Sequence, residues 1–202
     1  MNQIRTIVVA AIVVTSLATT ARAQGPGRPT AGIFGGVSSI SGDFKDEVGN
    51  GWLAGGLFKM RAWGPLDVRV DGTYVKLGSK EIVGAGVTVT TDGKIAFGTV
   101  NVLLNLGPDS ASYPGDNSVS PYLLAGVGSY QLEYDWTCTG ECAQYTFPER
   151  QTHTGINGGF GATMPLLGIR TFAEARYHRV FRELNDGASR SMILISAGVK
   201  FR

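Results

Sequence analysis

Ionisable side chains occupy alternate positions in residues 170–181, which read RTFAEARYHRVF. Glu174 and His178 could do acid–base chemistry, because a positioned carboxyl or imidazole group transfers protons in many enzymes. With Arg176 between them, the same residues could instead form ion pairs in a purely structural role. We expect the structural role, because ionised groups that are enclosed in a protein require partners of opposite charge.

A second segment with the same alternation begins at Asp67 and reads DVRVDGTYV. Charged residues alternate there with valines, which makes one face of the segment ionic and the other apolar. Acids and bases from the two segments could pair and share hydrogen bonds. The predicted structural network consists of Arg69, Asp71, Glu174 and Arg176. No residue is predicted to be catalytic, to bind a cofactor or to hold a metal.

The two cysteines, Cys138 and Cys142, lie close together in the motif CTGEC. Such a pair can form a small disulfide at a loop tip when the protein is exported. A zinc site would require two further ligands at suitable spacing, and His153 and His178 lie in strand-like sequence. We therefore predict a Cys138–Cys142 disulfide rather than free thiols or a metal site.

The first 23 residues have the three parts of a secretory signal peptide. They carry a basic start, an apolar run and an Ala-Arg-Ala cleavage site before Gln24. The apolar run is shorter than the roughly 20 residues that a transmembrane helix requires. We predict cleavage after Ala23, so that residues 1–23 are the signal peptide and residues 24–202 form one domain.

The mature chain is balanced in charge. The full sequence has 18 Lys and Arg and 16 Asp and Glu, and Arg5 and Arg22 leave with the signal peptide. The remaining formal charge is zero, which argues against a nucleic-acid partner, since such proteins carry a clustered basic face. No later segment is long and apolar enough for a transmembrane helix.

Two-residue alternation bounded by Gly, Pro, Asn, Asp or Ser recurs along the mature chain and predicts strands. The eight predicted strands are residues 31–40, 52–63, 67–77, 94–106, 121–136, 154–166, 170–181 and 191–201. They are longer than the roughly five to six residues that are common in globular sheets. Their length matches the roughly 9–11 residues of a tilted strand that crosses a bilayer.

Short and long connections mostly alternate along these strands. Strands two and three are joined by GPL, and strands six and seven by LGI, whereas the other connections are longer and polar. This pattern is typical of a barrel with tight turns at one end and external loops at the other. The exception is GPDSASYPGDNSVS, which is long where a short turn is expected. The valines of EIVGAGVTVTT suggest that the second long loop continues its flanking strands as a hairpin.

Periodicity alone does not decide which face of each strand points inward. A soluble, lipocalin-like barrel would enclose the apolar face, whereas a transmembrane barrel turns it to lipid and encloses the polar face. Export, strand length and aromatic residues near strand ends favour the transmembrane arrangement, because aromatic girdles flank a lipid-facing band. The predicted girdle residues are Trp52, Trp63, Tyr74, Tyr122, Trp136, Phe181 and Phe201. A Lys or Arg that faces lipid at mid-membrane costs roughly 2–4 kcal/mol, so the strand charges should point into the lumen.

Several segments resemble those of small OmpA/OmpX-type outer-membrane β-barrel proteins: SPYLLAGVGSYQ, TGINGGFG, FAEARYH and the terminal ISAGVKF. The resemblance implies an all-β fold, an eight-stranded antiparallel up-and-down transmembrane β-barrel in the bacterial outer membrane, reached through the periplasm. It also implies that the barrel-assembly machinery reads the last strand. Arg202 follows the aromatic residue on which the family usually ends. The peptidoglycan-binding domain of larger relatives is missing, so wall anchoring is not expected.

An eight-stranded barrel is just wide enough for side chains to fill it, and a porin-type channel needs about twice as many strands. We therefore expect a non-enzymatic outer-membrane protein with a filled lumen, whose surface loops have a structural, adhesive or binding role. Its expected partners are outer-membrane lipids, lipopolysaccharide and the assembly machinery, and the sequence does not specify what the loops bind. The alternatives are a lipid-modifying enzyme on the same barrel, for which no His-x-Ser is present, a narrow-pore channel, and a soluble ligand-binding barrel.

Overall fold

A computed structural model describes residues 29–41, 49–84, 87–107, 118–139, 150–166, 169–181 and 189–201. The predicted signal peptide, residues 1–23, lies outside these ranges, as do most of the long connections. Within them, no helix is long and apolar enough to cross a membrane.

Nine strands account for nearly all of the described chain. They are β1 (Thr30–Ser41), β2 (Gly49–Trp63), β3 (Leu66–Gly78), β4 (Lys80–Gly84), β5 (Val87–Asn105), β6 (Ser120–Thr139), β7 (Gln151–Leu166), β8 (Ile169–Phe181) and β9 (Ser189–Phe201). All eight predicted strands are present, each within a few residues of its predicted bounds except at the start of β5. That strand begins seven residues early because Val87–Thr91 pairs with β4. The predicted hairpin extension is thereby confirmed, with β4 continuing β3 past Ser79.

The strands form a closed antiparallel barrel. Strands that are consecutive in the chain pair with each other, except β3 and β4. Strand β3 pairs instead with β5 along eleven residue pairs, from Leu66↔Leu104 to Lys76↔Lys94, and β1 pairs with β9. Eight strands thus surround the lumen, and β4 extends one wall at one end. The predicted fold class is confirmed.

The two ends of the barrel differ. At one end, which we call the turn end, β2 and β3 are joined by Gly64 and Pro65, with Gly64 in the left-handed region at φ 54°. A residue without a Cβ adopts that conformation at little cost. The opposite end carries the β4–β5 hairpin and the connections 42–48, 140–149 and 182–188, and we call it the loop end.

Side chains alternate between lumen and exterior, and the exterior is apolar. Val127, Phe160 and Ile195 are each more than half exposed, although they lie midway along their strands. On the described barrel strands, charged side chains face outward only towards the loop end. Of these outward charged residues, the ones nearest the middle of the barrel are Lys76, Lys94, Glu133 and Arg179. A continuous uncharged band therefore surrounds the barrel, as a lipid-facing surface requires.

Candidate functional site

The four predicted network residues meet in the middle of the lumen. Arg69 and Asp71 extend from β3, and Glu174 and Arg176 extend from β8, which is separated from β3 by β2, β1 and β9. Arg69 donates two hydrogen bonds to Glu174, from Nη1 to Oε2 at 2.8 Å and from Nη2 to Oε1 at 2.9 Å. This bidentate geometry is the strongest form of an arginine–carboxylate pair.

The remaining contacts close the network into a ring of alternating charge. The Nε of Arg69 lies 3.0 Å from Oδ1 of Asp71, and Nη1 of Arg176 lies 3.2 Å from Oδ2 of the same carboxylate. Arg176 also donates from Nε to Glu174. All four residues are at most 5% exposed. Each arginine thus contacts both carboxylates, and the formal charge of the group is zero.

Two polar residues that were not predicted to belong to this network complete it. Asn101 donates from Nδ2 to Asp71 at 2.6 Å, and Tyr122 donates from its hydroxyl to Glu174 at 2.8 Å. Alternation along β5 could have identified Asn101, because it shares a face with Phe97 and Thr99. Tyr122 was predicted in the lipid-facing girdle, and this is wrong, since the residue is 2% exposed inside the lumen.

A glycine makes room for the Tyr122 ring. Gly161 is its cross-strand partner on β7, and a Cβ added there would lie 2.6 Å from the ring. That distance is far below van der Waals contact, so any larger residue would displace the tyrosine. The glycine-rich motif of β7 therefore positions a hydrogen-bond donor of the ion network.

A smaller ionic group lies nearer the turn end. Asp67 pairs with Lys59 and accepts a hydrogen bond from Nδ2 of Asn105 at 3.0 Å. Lys200 donates to Oγ1 of Thr163 at 2.7 Å, and its ammonium lies 4.8 Å from the ring centroid of Phe172. Burial of the cationic groups is therefore offset by anionic, hydroxyl and aromatic partners.

Apolar side chains fill most of the lumen on the loop-end side of the ion network. This apolar plug was not predicted, because towards the loop end the outward neighbours become polar or charged, as Gln131 and Glu133 do on either side of Leu132, so that the alternation reverses there. It comprises Ile40, Leu53, Val75, Leu77, Ile95, Phe97, Tyr130, Leu132, Val180, Met192 and Leu194. All are at most 5% exposed. The lumen thus contains a charged layer and a larger apolar one.

His178 lies between these two layers. Its Nδ1 is 2.8 Å from the Tyr130 hydroxyl, and its ring centroid is 5.2 Å from that of Phe97. It is completely buried, and it makes no contact with Glu174, whose oxygens are bound by Arg69, Arg176 and Tyr122. The acid–base pair considered from the sequence is therefore not assembled. His153, the other histidine, lies near Gln151, with Nε2 3.2 Å from Oε1.

The other predicted girdle residues face outward where the structure describes them. Trp52, Trp63, Tyr74, Phe181 and Phe201 are 39–74% exposed. Trp52 and Tyr74 pack against each other, with ring centroids 5.9 Å apart. The side chain of Trp136 lies outside the described part of the chain.

The cysteine prediction falls outside the described residues. Only the backbone of Cys138 is described, in β6, and Cys142 lies in the connection that follows. The disulfide therefore remains a prediction. No group of three or more His, Cys, Asp and Glu side chains that could hold a metal ion occurs in the described ranges.

An antiparallel barrel with an apolar exterior and enclosed ion pairs defines a transmembrane protein of the outer-membrane type. The model of the outer membrane protein beta-barrel domain family matches residues 7–201. The chain belongs to this family and is a protein of the bacterial outer membrane.

Solved structures show the same fold at low sequence identity. The crystal structure of Neisserial surface protein A is similar with a TM-score of 0.64 and 18% identity, over 88% of this chain and 98% of that one. A major outer membrane protein from Thermus thermophilus is similar with a TM-score of 0.53 and 12% identity, over 87% and 100% of the two chains. A search of curated protein sequences found no match.

Proposed function

We propose that this protein is a non-conducting, non-enzymatic barrel that holds external loops rigidly at the cell surface, in a structural, adhesive or binding role. The observation that carries the proposal is the double filling of the lumen. Ions and water would have to pass the Arg69–Glu174 and Arg176–Asp71 pairs and then an apolar plug. An apolar constriction excludes water and with it ions, so the two layers obstruct permeation in different ways.

The position of His178 supports a non-enzymatic role. A lipid-modifying enzyme needs its acid–base groups on the surface that contacts lipid. His178 is instead enclosed by Phe97 and Tyr130 at 0% exposure, on the inward face of β8. No acyl chain reaches it without the lumen opening.

The proposed orientation places the turn end in the periplasm and the loop end outside the cell, as in other barrels of this kind. Three long connections and the β4–β5 hairpin then face the medium. The extension is well paired, from Lys80↔Thr91 to Gly84↔Val87, which gives the outer rim a rigid projection. The terminal strand β9 would be the segment that the assembly machinery reads during insertion.

We propose lipopolysaccharide phosphates as partners of the outward cations at the edge of the uncharged band. Lys76 lies directly opposite Lys94 on the neighbouring strand. Like charges in such pairs destabilise a sheet, and an anion between them would remove the repulsion. Among the described residues, Lys94 pairs with Asp135, whereas Lys76 has no acidic partner. Its other cross-strand neighbour is Trp52, a residue type that is common at the headgroup level.

Planar bilayer recording tests the closed lumen. Purified barrels are inserted at increasing protein-to-lipid ratio, with a sixteen-stranded porin as the positive control and heat-denatured protein as the negative control. The proposal expects no conductance above that of the denatured sample. Discrete steps that grow in number with the inserted barrels would contradict it and would favour a narrow-pore channel.

Lipid retention tests the partner. The Lys76→Gln variant is purified in nanodiscs beside an Arg150→Gln control, whose cation is already paired with Glu133 at 3.1 Å. Lipopolysaccharide retained per barrel should fall for Lys76→Gln and stay constant for Arg150→Gln. Equal retention in both variants would refute the assignment.

A further inference from the structure

Three neighbouring lumen residues carry buried polar atoms that have no hydrogen-bond partner among the described residues. These atoms are Oδ1 and Nδ2 of Asn157, Oδ1 of Asn101 and Nε2 of His178. Asn101 and His178 are 0% exposed and Asn157 is 6% exposed. Buried polar atoms are nearly always satisfied by protein or by ordered water, so a cluster of this kind requires an explanation.

Strand register places these residues side by side. Asn101 on β5 lies opposite Gly126 on β6, Gly126 lies opposite Asn157 on β7, and Asn157 lies opposite His178 on β8. All three side chains face the lumen. Adjacent strands are about 4.8 Å apart, so the Asn101 and Asn157 backbones are separated by roughly 10 Å.

Gly126 lies between the two asparagines and has no Cβ, and the Asn101 side chain occupies the position that a Cβ would take. A Cβ added at Gly126 would lie 2.2 Å from Oδ1 of Asn101. The Asn101 carbonyl oxygen therefore leans over Gly126 towards β7, where Asn157 faces the lumen. The unpartnered atoms of β5, β7 and β8 thus border one region of the lumen.

We infer that Asn101, Asn157 and His178 form a binding site for ordered water beside the Asn101 carboxamide, between the ion network and the apolar plug. The chemistry of the atoms selects the ligand. Asn157 presents the two N–H donors of Nδ2 and the acceptor Oδ1, and Asn101 presents an acceptor. Water satisfies both kinds of group, and a buried water typically makes about three hydrogen bonds.

Ions fit this site less well than water. A cation would lie near Arg69 and Arg176, which already neutralise Asp71 and Glu174. An anion would face the carbonyl oxygens of both asparagines. The Tyr130 hydroxyl contacts Nδ1 of His178, and the tautomer of the ring decides whether Nε2 donates or accepts a hydrogen bond. Water can be the partner of Nε2 in either tautomer.

The bound water links two groups that are otherwise separate. Asn101 already donates from Nδ2 to Asp71, and His178 is already paired with Tyr130. Water between Asn101, Asn157 and His178 extends the hydrogen-bonded system from the ion network to the edge of the apolar plug. It is enclosed there, so it should exchange slowly with bulk solvent.

Water–protein NMR cross-peaks test the site in the intact barrel in nanodiscs. Wild-type protein should show cross-peaks between water and the side-chain amide protons of Asn157, and their sign should be that of long-lived bound water. Cross-peaks from that amide to protein protons of His178 or Asn101 alone would show a direct hydrogen bond and overturn the inference.

Paired variants separate this site from other lumen water. Asn157→Leu removes both polar atoms, so the water cross-peaks at the Asn101 amide and the His178 ring should disappear. Asn105→Leu makes the same change near the turn end and should leave them intact. Persistence of the cross-peaks in Asn157→Leu would refute the site. If Asn157→Leu does not fold, the test uses Asn157→Ser, which keeps a hydroxyl group and should retain the water cross-peaks. The wild-type cross-peaks at Asn157 then decide whether water is bound.

Discussion

Replacing Glu174 with Gln should strongly destabilise the barrel. Glu174 accepts two hydrogen bonds from Arg69, at 2.8 and 2.9 Å, and one from Tyr122 at 2.8 Å. The Arg69 and Glu174 side chains are both 0% exposed, so solvent does not screen the charge that the substitution leaves behind. Removing one partner of a buried ion pair costs about 3–5 kcal/mol. We expect Glu174→Gln to lower the free energy of unfolding by about that amount.

The assay is equilibrium unfolding by urea in phospholipid vesicles, followed by the fluorescence of the three tryptophans. The matched control is Glu133→Gln, which makes the same chemical change in an exposed pair. Glu133 and Arg150 lie 3.1 Å apart with side chains 44% and 52% exposed. Exposed pairs contribute about 0–1 kcal/mol, so the control should unfold almost like wild type.

A double variant separates charge imbalance from loss of packing. Arg69→Met with Glu174→Gln removes one cation and one anion and leaves the Asp71–Arg176 pair in place. Replacing both members of a buried pair is often close to neutral, so the double variant should be more stable than Glu174→Gln alone. Two results would contradict a stabilising ion network: unfolding of Glu174→Gln at the same urea concentration as Glu133→Gln, or a further loss of stability when Arg69→Met is added to Glu174→Gln.

Three further predictions concern the lumen, the lipid-facing surface and the loops. Gly161→Val places a Cβ where it would lie 2.6 Å from the Tyr122 ring and should cost about 1–3 kcal/mol in the same urea assay; an unchanged midpoint would contradict this. Val127 is 62% exposed in the middle of the uncharged band, and Val127→Arg should lower the free energy of unfolding by about 2–4 kcal/mol. Val119→Arg, near the turn end, should lower it by about 0–1 kcal/mol. Equal losses in the two variants would count against a lipid-facing band. Peptide mass spectrometry of unreduced protein should find the cysteines of CTGEC linked, and two alkylated thiols would disprove the disulfide.

The architecture could be predicted from the sequence because its signals are local. Strand β3 alternates charged and valine residues, and β8 alternates Glu174, Arg176 and His178 with uncharged residues. Such alternation fixes which residues share a face, and the energetic cost of charge in lipid fixes which face is inside. The inward orientation of the four network residues therefore followed from the sequence, whereas their contacts depend on where β3 and β8 lie in the closed barrel.

The rest of the lumen could not be predicted, because its signals are not local. In β6, inward Tyr122 and Leu124 alternate with outward Leu123 and Ala125, so that both faces are apolar and the pattern cannot identify the inner one. The apolar plug was missed for a different reason: near the loop end the outward side chains become polar, as with Gln131 and Glu133 beside inward Leu132, so that the alternation reverses. The water site depends on register, since Asn101 and His178 are 77 positions apart in the chain and become neighbours only through β6 and β7.

The central claim is that apolar residues coat the barrel while the ion network and the apolar plug fill it. Methyl NMR with a spin label at the centre of the bilayer tests this directly, because paramagnetic broadening depends on distance from the lipid. The methyl signals of the outward residues Val100, Val127 and Ile195 should be strongly broadened by labelled lipid, whereas those of inward Val75 and Leu194 should be much less affected. Stronger broadening at Val75 and Leu194 than at Val127 and Ile195 would contradict the account.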